Sequence, residues 1–129
     1  MKRSVVLIFM LALIGCSEAG QNSGVMAQAD LVERLDDADA PLVLDVRTPG
    51  EYRRGHVPGA LNIPYQQLGA RLAELGAVDG RDIVVYCEAG PRAERAEATL
   101  AAAGLERLYQ LEGHMAAWRR NHMPMQVPR

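Results

Sequence analysis

Two short, compact apolar runs constrain this chain more than any other feature. Residues 42–46 (LVLDV) and 83–85 (IVV) are too short for a buried helix and carry no apolar–polar alternation. Strands of that kind are covered on both faces, as in a parallel sheet whose crossovers are helices. The segments between them have helical character. In residues 27–37, Leu31 and Leu35 stand at i, i+4 among polar residues. Residues 49–54 suit a short helical turn, with Thr48 as cap and Pro49 at the first helical position. Residues 65–75 put Tyr65, Leu68, Leu72 and Leu75 on one helical face. Residues 91–103 are alanine-rich and stopped by Gly104, and residues 115–120 read as a last helix. Further short strands are expected at residues 61–63 and 108–111. The alternation predicts an α/β domain with helices on both faces of a parallel sheet, its ligands bound at the carboxyl ends of the strands.

The chain has 129 residues, 49% of them apolar and 23% charged, which is room for one domain and one core. Its formal charge is −2, and without residues 1–15 it is −4, with 12 basic residues against 16 acidic ones. That balance argues against nucleic-acid binding, which needs a basic face. Lys2 and Arg3 precede an unbroken apolar run over residues 5–14, the pattern of a secretory signal peptide and too short to span a bilayer. The run ends in Leu13-Ile14-Gly15-Cys16, which resembles the lipobox of bacterial lipoproteins. The resemblance implies cleavage after residue 15 and acylation of Cys16, with acyl chains replacing the apolar run as anchor. The expected location is the cell envelope, lipid-anchored and facing the periplasm, with the outer membrane favoured because no Asp follows Cys16. Residues 16–24 then read as the lipidated cysteine and a flexible tether, and residues 25–129 as the domain.

The second apolar run leads straight into chemistry. Tyr86-Cys87-Glu88-Ala89-Gly90-Pro91-Arg92 passes from a strand end to a helix start with the form Cys-x-x-Gly-x-Arg. Free N–H groups and the dipole at a helix N-terminus favour a thiolate or a bound anion. Gly90 permits a turn other residues resist, and Arg92 is suited to an anionic substrate or to charge on sulfur. A small buried hydrophobe at a strand end is the plainer account of Cys87. Four residues separate Cys87 from Arg92, whereas cysteine phosphatases use a loop with five, wide enough for phosphate.

Four separated motifs extend the comparison. Asp45-Val46-Arg47-Thr48-Pro49-Gly50-Glu51-Tyr52, then Gly55-His56-Val57-Pro58-Gly59-Ala60-Leu61-Asn62-Ile63-Pro64, resemble the front signature of single rhodanese domains. Val84-Val85-Tyr86-Cys87 with Gly90-Pro91-Arg92 resemble the catalytic strand and loop, and Leu111-Glu112-Gly113 with Trp118 and Pro124 the closing segment. The resemblance spans roughly residues 27–127 and implies a five-stranded parallel sheet flanked by helices on both faces. It implies a sulfurtransferase in which Cys87 takes a sulfane sulfur from a small donor, thiosulfate or a persulfide, and passes it to a small acceptor or a protein thiol. The amides of Glu88, Ala89, Gly90, Pro91 and Arg92 (those that exist) would surround the persulfide, and Arg92 would orient the donor. Asp45, Arg47, Glu51 and His56 are assigned structural support, with an Arg47–Glu51 ion pair bracing the turn. No metal or organic cofactor is implied.

Two positions depart from the family pattern. Glu88 follows the cysteine, where relatives that use thiosulfate often carry a basic residue, so it is expected to repel a dianion and raise the cysteine pKa. His114 stands where a second glycine is common; it reads as a tolerated loop residue, with pairing to the thiolate or to Glu88 as the alternative. A non-catalytic docking module is the competing function. Met115, Met123 and Met125 near His114 and His122 suit Cu(I) in type but lack tight spacing. If Cys16 is acylated, Cys87 has no resolving partner within the chain, which rules out an internal dithiol cycle.

Overall fold

Five strands, all parallel, form one sheet in the order β1-β5-β4-β2-β3. The computed structural model describes residues 23–78 and 80–129. The strands are β1 (Gly24–Met26), β2 (Leu42–Asp45), β3 (Leu61–Asn62), β4 (Ile83–Tyr86) and β5 (Leu108–Leu111). The helices are α1 (Gln28–Arg34), α2 (Pro49–Arg53), α3 (Pro91–Ala102) and α4 (His114–Arg120). The apolar run of β4 lies at the centre, buried at every residue, and alternates sides with the period of two that a strand imposes. Ile83 and Val85 pack with Leu44, Val46, Ile63 and Leu68 under α3, where Ala93, Ala96 and Leu100 face the sheet. Val84 and Tyr86 face the other way, against Leu31 of α1, Met115 and Trp118 of α4, and Val43. The expected α/β sandwich with helices on both faces is therefore the observed fold.

Three local expectations are corrected. Gly24, assigned to a tether, is in β1, opposite Tyr109 in the register of β5. That edge strand has three residues and only Met26 is buried, so it carries no apolar period to read. Residues 65–75 are two 3-10 helices, Leu68–Ala70 and Leu72–Leu75, rather than one α-helix. Only Leu68 and Leu75 of the expected stripe are fully buried, Tyr65 and Leu72 being half-buried, and Gly69 weakens helix propagation. Finally, α1 ends at Arg34, three residues before the expected limit, and is fastened by Gln28, whose side chain donates to Glu112 O (2.9 Å) and accepts from Asn121 (2.9 Å). The expected signal peptide, the lipobox-like segment and Cys16 lie outside the described residues.

Candidate active site

The register of the central strands assembles the site. Asp45 at the end of β2 stands opposite Tyr86 at the end of β4, so the chain turns away from both strands at one edge of the sheet. Just past these ends lie Arg47 on one side and Cys87 on the other. Arg47 is buried and holds Asp45 through Nε (3.1 Å) and Nη2 (2.7 Å), and its Nη2 also donates to Gly55 O (2.8 Å). Tyr86 donates its hydroxyl proton to the same carboxylate (2.7 Å), and its hydroxyl oxygen accepts from Val57 N–H (3.1 Å). Burial and the adjacent Asp45 charge push the Tyr86 phenol upward, which keeps it a donor. The expected Arg47–Glu51 pair does not form, because the bidentate geometry of Asp45 two residues away claims the guanidinium first.

Glu51 instead closes a different link. With Thr48 it makes a capping box at the start of α2. Its two carboxylate oxygens then accept from Arg92 Nη1 (2.7 Å) and Nη2 (2.9 Å). The Arg92 hydrogen bonds outweigh desolvation and hold the Glu51 carboxyl at about 2. Arg92 is thus bound into the wall of the loop rather than extended toward solvent. His56 stacks on Tyr52 with ring centroids 3.7 Å apart, and its Nδ1 lies 3.0 Å from Tyr52 O. Its backbone bridges to Gln126 near the end of the chain.

The Cys87 sulfur sits inside the turn that connects β4 to α3. Gly90, at φ +128°, lets its N–H double back and donate to Sγ (3.0 Å). Pro91 begins α3. Burial by itself pushes the thiol up, yet a hydrogen bond from the His114 side chain and backbone amides of Ala93, Gly90 and Ala89 outweigh it, and the pKa falls from an ordinary 9.0 to about 6. The raised pKa expected from Glu88 is therefore overturned. Glu88 turns its carboxylate to Arg119 of α4 (2.8 Å), with Arg47 Nη1 at 3.7 Å, so its charge is offset by two guanidinium groups. A pocket of about 270 Å³ opens beside the loop, lined by Arg47, Glu51, Arg54, Gly55, Glu88 and Arg119 together with Met125. A larger cleft of about 370 Å³ near β1 has its central acid, Asp82, already paired with Arg34 and Arg107, and it contains no thiol.

Sequence reasoning missed Arg119 as the partner of Glu88, because the pairing spans 31 residues and depends on how α4 docks. It read His114 as a tolerated loop residue, but the ring is buried and Cys87 N–H donates to its Nδ1 (3.3 Å). Its position one residue after the turn glycine was the available signal. Among the described residues no group of three or more His, Cys, Asp or Glu side chains is arranged to hold a metal ion. The chemistry on offer is that of a buried cysteine with a lowered thiol pKa and the Gly90 N–H on its sulfur, which suits nucleophilic attack on sulfur.

Comparison with known proteins agrees with this geometry. Residues 27–121 match the Rhodanese-like domain family. A protein of Allochromatium vinosum named Sulfurtransferase is 37% identical over 98 residues, covering 76% of this chain and 90% of that one. An HTH-type transcriptional regulator of Mycobacterium tuberculosis, Rv0324, is 36% identical over 117 residues, and the chain spans 50% of its length. A crystal structure of an Anabaena protein superposes with a TM-score of 0.71 at 32% identity, covering 80% of this chain and 82% of the other. With the five-stranded parallel sheet, the cysteine loop at the end of its central strand and a match over most of the chain, this protein belongs to the rhodanese-like domain family.

Proposed function

We propose that the protein is a sulfurtransferase that carries a sulfane sulfur on Cys87. The Cys87 thiolate attacks the outer sulfur of a donor, thiosulfate or a low-molecular-weight persulfide. A Cys87–sulfur bond forms as the donor S–S bond breaks, and sulfite or a thiolate departs with the electron pair. A thiophilic acceptor, either a small nucleophile or a protein thiol, then attacks the terminal sulfur and regenerates the thiolate. The observation that carries this reading is the sulfur's setting: Gly90 N–H donates to it at 3.0 Å, and the donors around it hold the thiol down at about 6 against the pull of burial. The same donors suit an anionic persulfide one bond further out, so the loop stabilises both resting and loaded states. Relatives named sulfurtransferase support the assignment at the level of the family.

The test is incubation of the full chain with thiosulfate, or separately with a persulfide, followed by intact mass without reductant. One added sulfur atom, removed by cyanide and missing from Cys87→Ser, is the expected result. Gain from the persulfide alone would mean that Glu88 excludes the dianion. A folded chain with a titratable Cys87 and no gain from either donor would overturn the reading in favour of a docking module.

The location is a second part of the proposal. The basic start, the apolar run and Leu13-Ile14-Gly15-Cys16 support a signal peptide and acylation at Cys16, tethering the domain to an envelope membrane. Cells expressing the full chain and fed an alkynyl fatty acid should label it, and Cys16→Ser should abolish the label. Equal labelling of both would overturn the anchor.

A further inference from the structure

His114 has a conformation that calls for a cause. It opens α4 at φ +54°, a region that residues with a Cβ enter at a cost. Gly113 before it is also left-handed (φ +65°) and has no latitude, since a Cβ there would stand 2.3 Å from Ala117 Cβ. The strain is confined by two backbone bonds that stitch α4 to the cysteine loop: Met115 N–H donates to Cys87 O (3.0 Å) and Ala116 N–H to Glu88 O (3.1 Å). The side chain that this backbone delivers is only 8% exposed. Its Nδ1 accepts from the peptide N–H of Cys87 itself (3.3 Å), which places the ring proton on Nε2. Nε2 lies over Gly90, 3.3 Å from where a Cβ at that position would stand. The imidazole thus fills the space between the nucleophile's own peptide and the glycine whose N–H holds the sulfur.

We propose that His114 is a positioning residue for sulfur transfer, bracing the loop from Cys87 to Gly90 so that the Gly90 N–H stays aimed at the Cys87 sulfur before and after it is loaded. The inference rests on the sulfurtransferase reading for its purpose, though the geometry stands on its own. The charged groups around the pair are already engaged: Glu88 from the loop with Arg119 of α4, and Arg92 of α3 with Glu51 of α2. Arg47, behind them, is taken by Asp45. The ring is therefore the uncharged side chain that ties the Cys87 peptide to α4.

The decisive measurement is the pH dependence of alkylation at Cys87, assigned by peptide mass, in the full chain and in its His114→Gly and His114→Asn forms. Melting temperature and sulfur gain are read on the same samples. Glycine relieves the backbone strain, so His114→Gly should melt no lower than the native chain. Its alkylation midpoint should nonetheless move to higher pH by about one unit, a tenfold loss of thiolate on the acid side. Asparagine tolerates the left-handed backbone and offers an amide to the loop, and should recover part of the shift. Superimposable profiles for the three proteins would overturn the proposal, as would a shift that only accompanies a lower melting temperature. Sulfur gain by the native chain reports separately on the transferase reading: its absence, with a His114-dependent profile, would remove that reading and leave the loop brace in place.

Discussion

At the scale of single residues, the site is a set of paired charges around one buried cysteine sulfur. Asp45 with Arg47, Glu51 with Arg92 and Glu88 with Arg119 each bind across a loop boundary, so no side chain is released without its partner being exposed or left buried and uncompensated. The thiolate has a stability consequence. Its pKa is about 6 in the folded chain against an ordinary 9.0, so the folded state favours the charged form. Between those values the unfolded chain binds more protons, and stability rises with pH. The contribution is complete above 9.0, declines as pH falls, and is gone below about 6. Denaturant titrations of the native chain and Cys87→Ser should show the native chain losing its relative advantage as pH drops from 9.0 to 6. A constant difference across that window would contradict the ionised sulfur.

At the scale of elements, α3 and α4 converge on the cysteine loop from two directions. Gly90, at the N-cap of α3, supplies its amide to the sulfur, while the start of α4 ties its Met115 and Ala116 amides to the loop carbonyls. The hinge between β5 and α4 is Gly113, where a methyl group would collide with Ala117 at 2.3 Å and φ is positive. Gly113→Ala should therefore cost about 1–3 kcal/mol in chemical denaturation, the range for a forced left-handed backbone, with repacking added. Because α4 would have to shift, the same variant should lose Cys87 reactivity at neutral pH more steeply than a loss of that size predicts. Reactivity unchanged at the reduced stability would show that α4 does not register the loop.

At the scale of the whole molecule, the buried Asp45–Arg47–Tyr86 cluster ties the ends of β2 and β4 to the segment before β3. Asn62 adds to it by donating to Asp45 O (3.0 Å) and Arg47 O (2.9 Å). Asp45→Ala would leave a buried guanidinium and a buried phenol without their acceptor. Such losses run to about 3–5 kcal/mol, a large part of the stability of a domain this size. The expected result is a fall in the melting midpoint at neutral pH. A change under about 1 kcal/mol would show that water reaches Arg47 and replaces the carboxylate. At the opposite end of the sheet, Asp82 at the foot of β4 pairs with Arg34 (2.9 Å) and Arg107 (2.6 Å), so the central strand is charge-clamped at both ends.

The strand–helix alternation, the central strand at IVV and the position of Cys87 at its exit were determined by local sequence, because short buried strands and a glycine–proline helix start have periods and residue types that survive without context. The β1 edge strand was not legible: three residues with one buried side chain make a strand only when β5 is there to pair with them. The pairing of charges was likewise decided by tertiary structure. Arg47 had two acidic candidates within four residues, and the choice of Asp45 followed from where β2 ends and Tyr86 stands beside it. Glu51 then met Arg92 across 41 residues, and Glu88 met Arg119 across 31. The sign of the cysteine's pKa shift followed the same rule. A neighbour in sequence suggested an acidic, repelling setting, whereas folding turned that neighbour to an arginine and brought the Gly90 amide to the sulfur and the His114 ring to the cysteine's peptide. Sequence separation says little about electrostatics, since an interaction energy depends on distance and burial, and only the packed chain sets both.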